Sequence, residues 1–285
     1  MTDTLKINFT VYPNHNRPFT ADACFIQDGK PKPVVIFTHG FKGFKDWGHF
    51  NLMSGYFAER GFVFVKFNFS HNGTSVDNFA DLHDMEAFGQ NNFSLELDDL
   101  KALIDLLHDE NGPLSPAELD LSNLFLIGHS RGGGAVILKA VEDSRVKAVA
   151  SWAGVSNYDQ RWPETVMQQW KKEGVQWVLN GRTGQQMPLY YQVVEDFLEN
   201  KHRLDISELI KKMQQPLLIL HGENDETLPI QMAHQLKAGK PDADLHLLPG
   251  ADHSFGGKHP YELADLPDAA TVAANLTIDF FRKHA

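Results

Sequence analysis

The sequence predicts an α/β fold: a mostly parallel central sheet, antiparallel strands at its N-terminal start, and helices on both faces. Three observations predict it. Apolar runs recur without polar alternation at 34–37, 62–67, 124–127, 146–150 and 217–220, the pattern of strands buried on both faces. Helical patterns lie between them, over 47–60, 94–109, 131–142, 230–239 and 268–284, and strand–helix alternation implies a parallel sheet. Ahead of the first run, the chain alternates instead.

That alternation places Ile7, Phe9 and Val11 on one face of a first strand. Ala23 and Phe25 follow in a second, before a turn at Asp28-Gly29, so the two read as an antiparallel pair. A short strand is expected at 244–248, between the last two helices. The rhythm breaks once. From 157 to 212 no strand-like run is visible, while helical patterns fit 163–178 and 188–200. This segment holds Trp162, Trp170 and Trp177 with Tyr190 and Tyr191. It reads as a helical cap inserted within a single domain of 1–285. Trp170 and Trp177, seven apart, would share one helix face.

Composition narrows the function. Acidic residues outnumber basic ones 37 to 26, for a net charge of −11. No Lys/Arg cluster is present, so nucleic acid and anionic membranes are poor partners. The single cysteine, Cys24, forbids an internal disulfide and a cysteine-rich metal site. No apolar stretch is long enough to cross a membrane. The N-terminus lacks the features of a signal peptide, and with no disulfides this points to the cytoplasm. Asp81, His83, Asp84 and Glu86 are the most metal-like cluster; they read as a solvated loop, and no metal or organic cofactor is expected.

The sharpest local signal is Gly128-His129-Ser130-Arg131-Gly132, a G-x-S-x-G between an apolar run and a helical pattern. A serine on a tight strand-to-helix turn is held in strained geometry above the sheet, and the glycines let the flanking chains pass. A serine hydroxyl needs a base, and the base an orienting acid. Of the histidines beyond Ser130, His253 follows the strand 244–248, in a loop at the sheet edge that also carries the elbow. His246 reads as structural, His234 and His284 as helix surface, His202 as part of the cap, and His221 as a packed strand-end residue. The acid is expected in the loop after 217–220, where Asp225 precedes a helix start at Pro229; Glu223, Glu226 and Asp252 are rivals by chemistry. The developing oxyanion would take the backbone N–H of Arg131 and that of Phe41, in the loop Thr38-His39-Gly40-Phe41-Lys42-Gly43.

Together these pieces resemble the α/β-hydrolase superfamily over almost the whole chain. His39-Gly40-Phe41-Lys42-Gly43 is similar to its oxyanion loop, and Gly128 to Gly133 to its nucleophile elbow. His221-Gly222 with Asp225 and Pro229 is similar to its acid segment, and Gly250 with His253 and Phe255 to its base segment. The wording looks most like the dienelactone hydrolase-like and acyl-peptidase-like esterase branches. Dienelactone hydrolases use a cysteine nucleophile, haloalkane dehalogenases and epoxide hydrolases an aspartate; Ser130 departs from both. Phe41 departs from the lipase HGGG loop.

The resemblance implies a serine hydrolase with a Ser130–His253–Asp225 triad, cleaving a small or medium-sized soluble ester. Acyl-aminoacyl peptidase, thioesterase and perhydrolase are alternatives with the same triad. The peptidases usually carry an N-terminal propeller, for which the chain ahead of the buried run at 34–37 leaves no room. A non-catalytic binding protein on this fold is the alternative of another class, and such proteins often lack a triad member. Singly, each cap aromatic reads as pinning the cap to the sheet. Together they should leave an apolar pocket over Ser130, to which Trp162, Trp177 and Tyr190 would contribute.

Overall fold

The computed structural model describes residues 4–159 and 162–285. Two of the residues in the expected cap, 160 and 161, fall outside that range. The chain opens with strands β1 (Thr4–Val11), β2 (Phe19–Ile26) and β3 (Lys32–Thr38), then helix α1 (Phe50–Ala58) and strand β4 (Val63–Phe67). Helices α2 (Met85–Gln90) and α3 (Phe93–Leu107) lead into β5 (Leu119–His129), α4 (Arg131–Glu142) and β6 (Val146–Trp152). The order of the eight-stranded sheet is β1-β2-β4-β3-β5-β6, continued by β9 (Leu217–Gly222) and β10 (Asp244–Leu248). β1 pairs antiparallel with β2, with Ile7 opposite Ala23, and β2 pairs antiparallel with β4. Every later pairing is parallel.

The uninterrupted apolar runs follow from this sandwiching. Val34 and Ile36 face one layer while Val35 and Phe37 face the other, because successive side chains of a strand point to opposite faces. On one side α3 and α4 bury Leu97, Leu100, Val136 and Ile137. On the other, α1 and the C-terminal helix α10 (Asp268–His284) bury Phe57, Ala274 and Phe281. There Phe125 stacks on Phe281 with centroids 4.4 Å apart.

The segment between β6 and β9 differs from the all-helical expectation. It runs α5 (Glu164–Glu173), β7 (Val175–Asn180), β8 (Gln185–Tyr190), α6 (Gln192–Glu199), α7 (Lys201–Leu204) and α8 (Ile206–Leu209). The helix expected over 163–178 stops at Gly174, which takes a left-handed conformation (φ +75°) and caps α5. Past that cap, β7 and β8 form an antiparallel hairpin with Val175 opposite Tyr190. Trp177 is therefore a strand residue and shares no helix face with Trp170. Beyond β9, α9 (Gln231–Gly239) precedes β10.

Candidate active site

Ser130 sits where β5 turns into α4, with φ +58° and ψ −120°, a region non-glycine residues rarely adopt. The strain is held by three backbone bonds. Ser130 N–H donates to Trp152 O (2.9 Å), and Ser130 O accepts from Gly133 (2.9 Å) and Val155 (3.2 Å). The elbow closes only because side chains are missing: a Cβ on Gly128 would collide with the Gly132 carbonyl.

The loop after β3 packs directly on this turn. A Cβ on Gly40 would stand 2.8 Å from Ser130 Cβ and 3.1 Å from His129 O, so only glycine lets this loop pack so closely on Ser130. The loop is fixed at both ends. His39 is buried, with Nδ1–H donating to Gly40 O (2.9 Å) while Nε2 accepts from Phe69 N–H (3.3 Å). At the far end Lys45 Nζ meets Asp22 (2.6 Å) and Asp46 (2.5 Å), and Lys66 Nζ meets Asp22 at 2.8 Å and also Asp46. Burial works against the Asp46 carboxylate, but Lys66 and Lys45 outweigh it and hold its pKa at about 2. The backbone N–H groups of Phe41 and Arg131 donate to no acceptor among the described residues.

Asp225 and His253 come together across the ends of β9 and β10, with His253 Nδ1 2.8 Å from Asp225 Oδ2. The second carboxylate oxygen accepts the N–H groups of Thr227 and Leu228, each at 2.8 Å. His221, fully buried, brings Nε2 within 3.3 Å of Asp225 Oδ2 and 3.0 Å of Leu228 O. Burial pushes the Asp225 carboxyl up, but bonds from His221, His253 and Leu228 hold it well below the usual carboxylate range. Glu223 and Glu226 are solvent-exposed, and the Asp252 carboxylate caps its own turn through Ser254 and Gly256 N–H.

Three roles carry no signal in the sequence. His221 braces the Asp225 carboxylate. His129 Nε2–H donates to His253 O at 2.8 Å, tying the His253 loop to the elbow. Glu96, buried on α3, holds Arg131 at 3.0 Å, with the guanidinium 4.4 Å over the Phe93 ring.

Ser130 and His253 border two cavities. The larger, about 550 Å³, is walled by Phe93, Tyr158, Trp162, Trp170, Val178 and Leu189 among others. The smaller, about 200 Å³, shares Phe41, Lys42, Ser130 and His253 with it and extends to Trp47, Asn180, Arg182 and Ser254. Of the expected cap residues Trp162 reaches the large cavity; Trp177 and Tyr190 do not. Strand alternation explains both. Gln176 and Val178 face the cavity, so Trp177 between them points away and is 59% exposed. Leu189 faces in, and Tyr190 turns its hydroxyl to Glu86 (2.7 Å). No Ser130–His253 hydrogen bond forms in this structure; such bonds commonly tighten only with substrate. Among the described residues no cluster could hold a metal ion, and no helix is long and apolar enough to cross a membrane.

Burial lowers the imidazole pKa of His39 to about 4 and of His129 to about 3. Such groups fold neutral, while the unfolded chain takes up a proton near 6.5. Their contribution is complete above that pH and is lost as pH falls toward 4. Each should steepen the loss by about 1.4 kcal/mol per pH unit. Buried Glu96 and Asp99, whose carboxyls burial pushes up, act oppositely, so the informative quantity is a difference. Urea unfolding between pH 6 and 4.5 should show a shallower slope for His39→Gln than for the parent. Equal slopes would contradict the assignment.

An α/β fold of this topology, with a strained serine on its elbow, defines the α/β-hydrolase class of serine hydrolases. Residues 48–268 match the prolyl oligopeptidase family, and the chain belongs to that family. No curated protein matches the sequence. Among solved structures, the esterase domain of a Rhodothermus marinus protein is 22% identical, with 98% of each chain covered and a TM-score of 0.64. Est1E from Butyrivibrio proteoclasticus is 16% identical over 97% of this chain and 98% of its own, with a TM-score of 0.64. A puromycin-hydrolyzing peptidase of Mycobacterium tuberculosis is 17% identical over 99% of this chain and 39% of its own, with a TM-score of 0.65.

Proposed function

We propose that the protein cleaves a carboxylic ester of a small or medium-sized soluble substrate through an acyl-enzyme intermediate. The observation that carries this is the Asp225–His253 hydrogen bond beside a strained serine at the mouth of an apolar cavity. In this reading Asp225 keeps the His253 proton on Nδ1, leaving the Nε2 lone pair to take the Ser130 proton as Oγ attacks the carbonyl. The oxyanion rests on the Phe41 and Arg131 amides, which have no acceptor among the described residues. His253 then protonates the leaving group, and water, activated the same way, releases the acid.

The segment 157–212 acts as a cap whose inner wall, with Trp162 and Trp170, sets acyl-chain preference. One methylene in such a pocket is worth about 1–3 kcal/mol of discrimination. Trp162→Ala should therefore move the optimum to longer chains, while Trp177→Ala, altering an outward-facing side chain, should leave it in place. A chain-length profile indifferent to Trp162→Ala would refute this role.

The family match and the puromycin-hydrolyzing neighbour favour a second reading, an aminoacyl peptidase using the same triad. A panel of p-nitrophenyl esters of increasing length, run beside aminoacyl anilides and thioesters, separates the two. The ester reading expects the highest kcat/KM among the esters; a preference for anilides transfers the assignment to the peptidase.

A further inference from the structure

Neither cavity beside Ser130 is lined by a carboxylate among the described residues. This contrasts with a chain carrying 37 acidic residues and a net charge of −11. The smaller cavity has instead two cations: Arg182, which borders it alone, and Lys42, which borders both cavities. Neither makes an ion pair among the described residues, unlike Arg131, which is neutralised by Glu96. Lys42 is partly buried, and its Nζ donates to Leu179 O (3.0 Å) on β7. Burial lowers its pKa below the ordinary lysine value, and no counter-charge offsets that. Arg182 occupies the exposed β7–β8 turn, Gly181 to Gly184, beside Asn180, whose Oδ1 accepts the Arg182 N–H (3.2 Å).

The Lys42–Leu179 bond matters geometrically. It joins the loop carrying Phe41 to the hairpin carrying Arg182, so Lys42 is held where both cavities border it and Arg182 on the wall of the smaller one. The rest of the larger cavity is mostly aromatic and aliphatic, and its other cation, Arg131, is paired with Glu96. A partly desolvated ammonium bonded only to a neutral carbonyl lacks a counter-charge, and an anion arriving beside it offsets the cost of that burial. The chain's net charge of −11 disfavours an anion in general, so an attraction at this site would be local to its two cations.

We propose that the substrate is an ester of two unlike halves: an apolar or aromatic group in the larger cavity, and a group bearing a carboxylate or similar anion in the smaller one, paired with Arg182 and Lys42. This rests on the ester-hydrolase reading and adds the substrate's charge.

The test uses four esters in two matched pairs. One pair carries the charge on the alcohol side: 4-(butyryloxy)benzoate and its neutral carboxamide. The other carries it on the acyl side: monophenyl adipate and its neutral amide. In at least one pair the anionic ester should have the higher kcat/KM, by about 5- to 20-fold, the range of a partly exposed charge-assisted contact. That preference should weaken with added salt. Arg182→Ala should remove most of it and Arg182→Glu should invert it. Arg182 is exposed and makes no ion pair, so both variants are expected to fold, as thermal melts would verify. Turnover of the neutral esters with no anionic preference in either pair overturns the inference and leaves the esterase reading intact. A preference that survives Arg182→Glu overturns it equally. No turnover of any of the four removes both.

Discussion

Replacing Ser130 by alanine is expected to lower kcat for ester hydrolysis by about 10⁴- to 10⁶-fold, as loss of a covalent nucleophile does in serine hydrolases. The fold should survive. Ser130 is held through its backbone, by Trp152, Gly133 and Val155, and alanine keeps those bonds. The substitution also removes only one hydroxyl from the cavity mouth. Steady-state kinetics on purified, cooperatively melting variant checks this. Turnover within a hundredfold of the parent would mean that chemistry starts elsewhere.

The second large effect is at Asp225. Asp225→Asn is expected to cost about 10⁴-fold in kcat, the scale of losing the carboxylate that sets the imidazole tautomer. An amide can present its NH2 to His253 Nδ1, which leaves the proton on Nε2, where the lone pair is required. Asp252→Asn and Glu223→Gln, by contrast, alter carboxylates away from the imidazole and should cost less than about tenfold, the range of changes outside a reacting unit. Because His221, His253 and Leu228 hold Asp225 well below the usual carboxylate range, it stays ionised throughout the mildly acidic range. Loss of activity between pH 6 and 4 should thus persist in Glu223→Gln and should not be traced to Asp225. A larger loss in Asp252→Asn at unchanged stability would relocate the acid.

Much of this arrangement is legible in the sequence because it is local. The elbow needs a buried strand, a serine between glycines and a helix in immediate succession, and all three are contiguous at 124–142. The continuous apolar runs reveal the sheet for a similar reason: Val34 to Phe37 can be apolar throughout only if both faces are covered. The order of serine, acid and base along the chain, together with the loops that follow 217–220 and 244–248, then points to Asp225 and His253 among several carboxylates and histidines.

The hidden features depend on partners distant in sequence or on a strand too short to announce itself. The β7–β8 hairpin is masked by aromatic residues that fit a helical spacing equally well. Gly174, a helix terminator, and the Gly181–Gly184 pair at the turn are the available signals against a helix, and Val175 to Leu179 is only weakly alternating. Missing the hairpin misplaces Trp177 and Tyr190, since in a strand one position decides which face a side chain takes. The bracing roles of His221 and His129 are invisible for another reason. His221 lies only four residues from Asp225, but nothing in the sequence says that the loop between them folds back on it, and His129 gains its partner only by the tertiary approach of the His253 carbonyl. Lys42 reads only as part of a loop, and Arg182 carries no sequence signal at all, because a missing counter-charge is a property of the assembled surface.

The central claim is that Ser130 is the activated nucleophile of this site. Incubation with an alkyl fluorophosphonate, followed by intact-mass measurement and peptide mapping, tests it most directly. The account predicts one phosphonyl group per chain, on the peptide containing Ser130, with labelling abolished by Ser130→Ala and strongly slowed by His253→Ala. A folded protein that takes no label, or takes it on another residue, would contradict it.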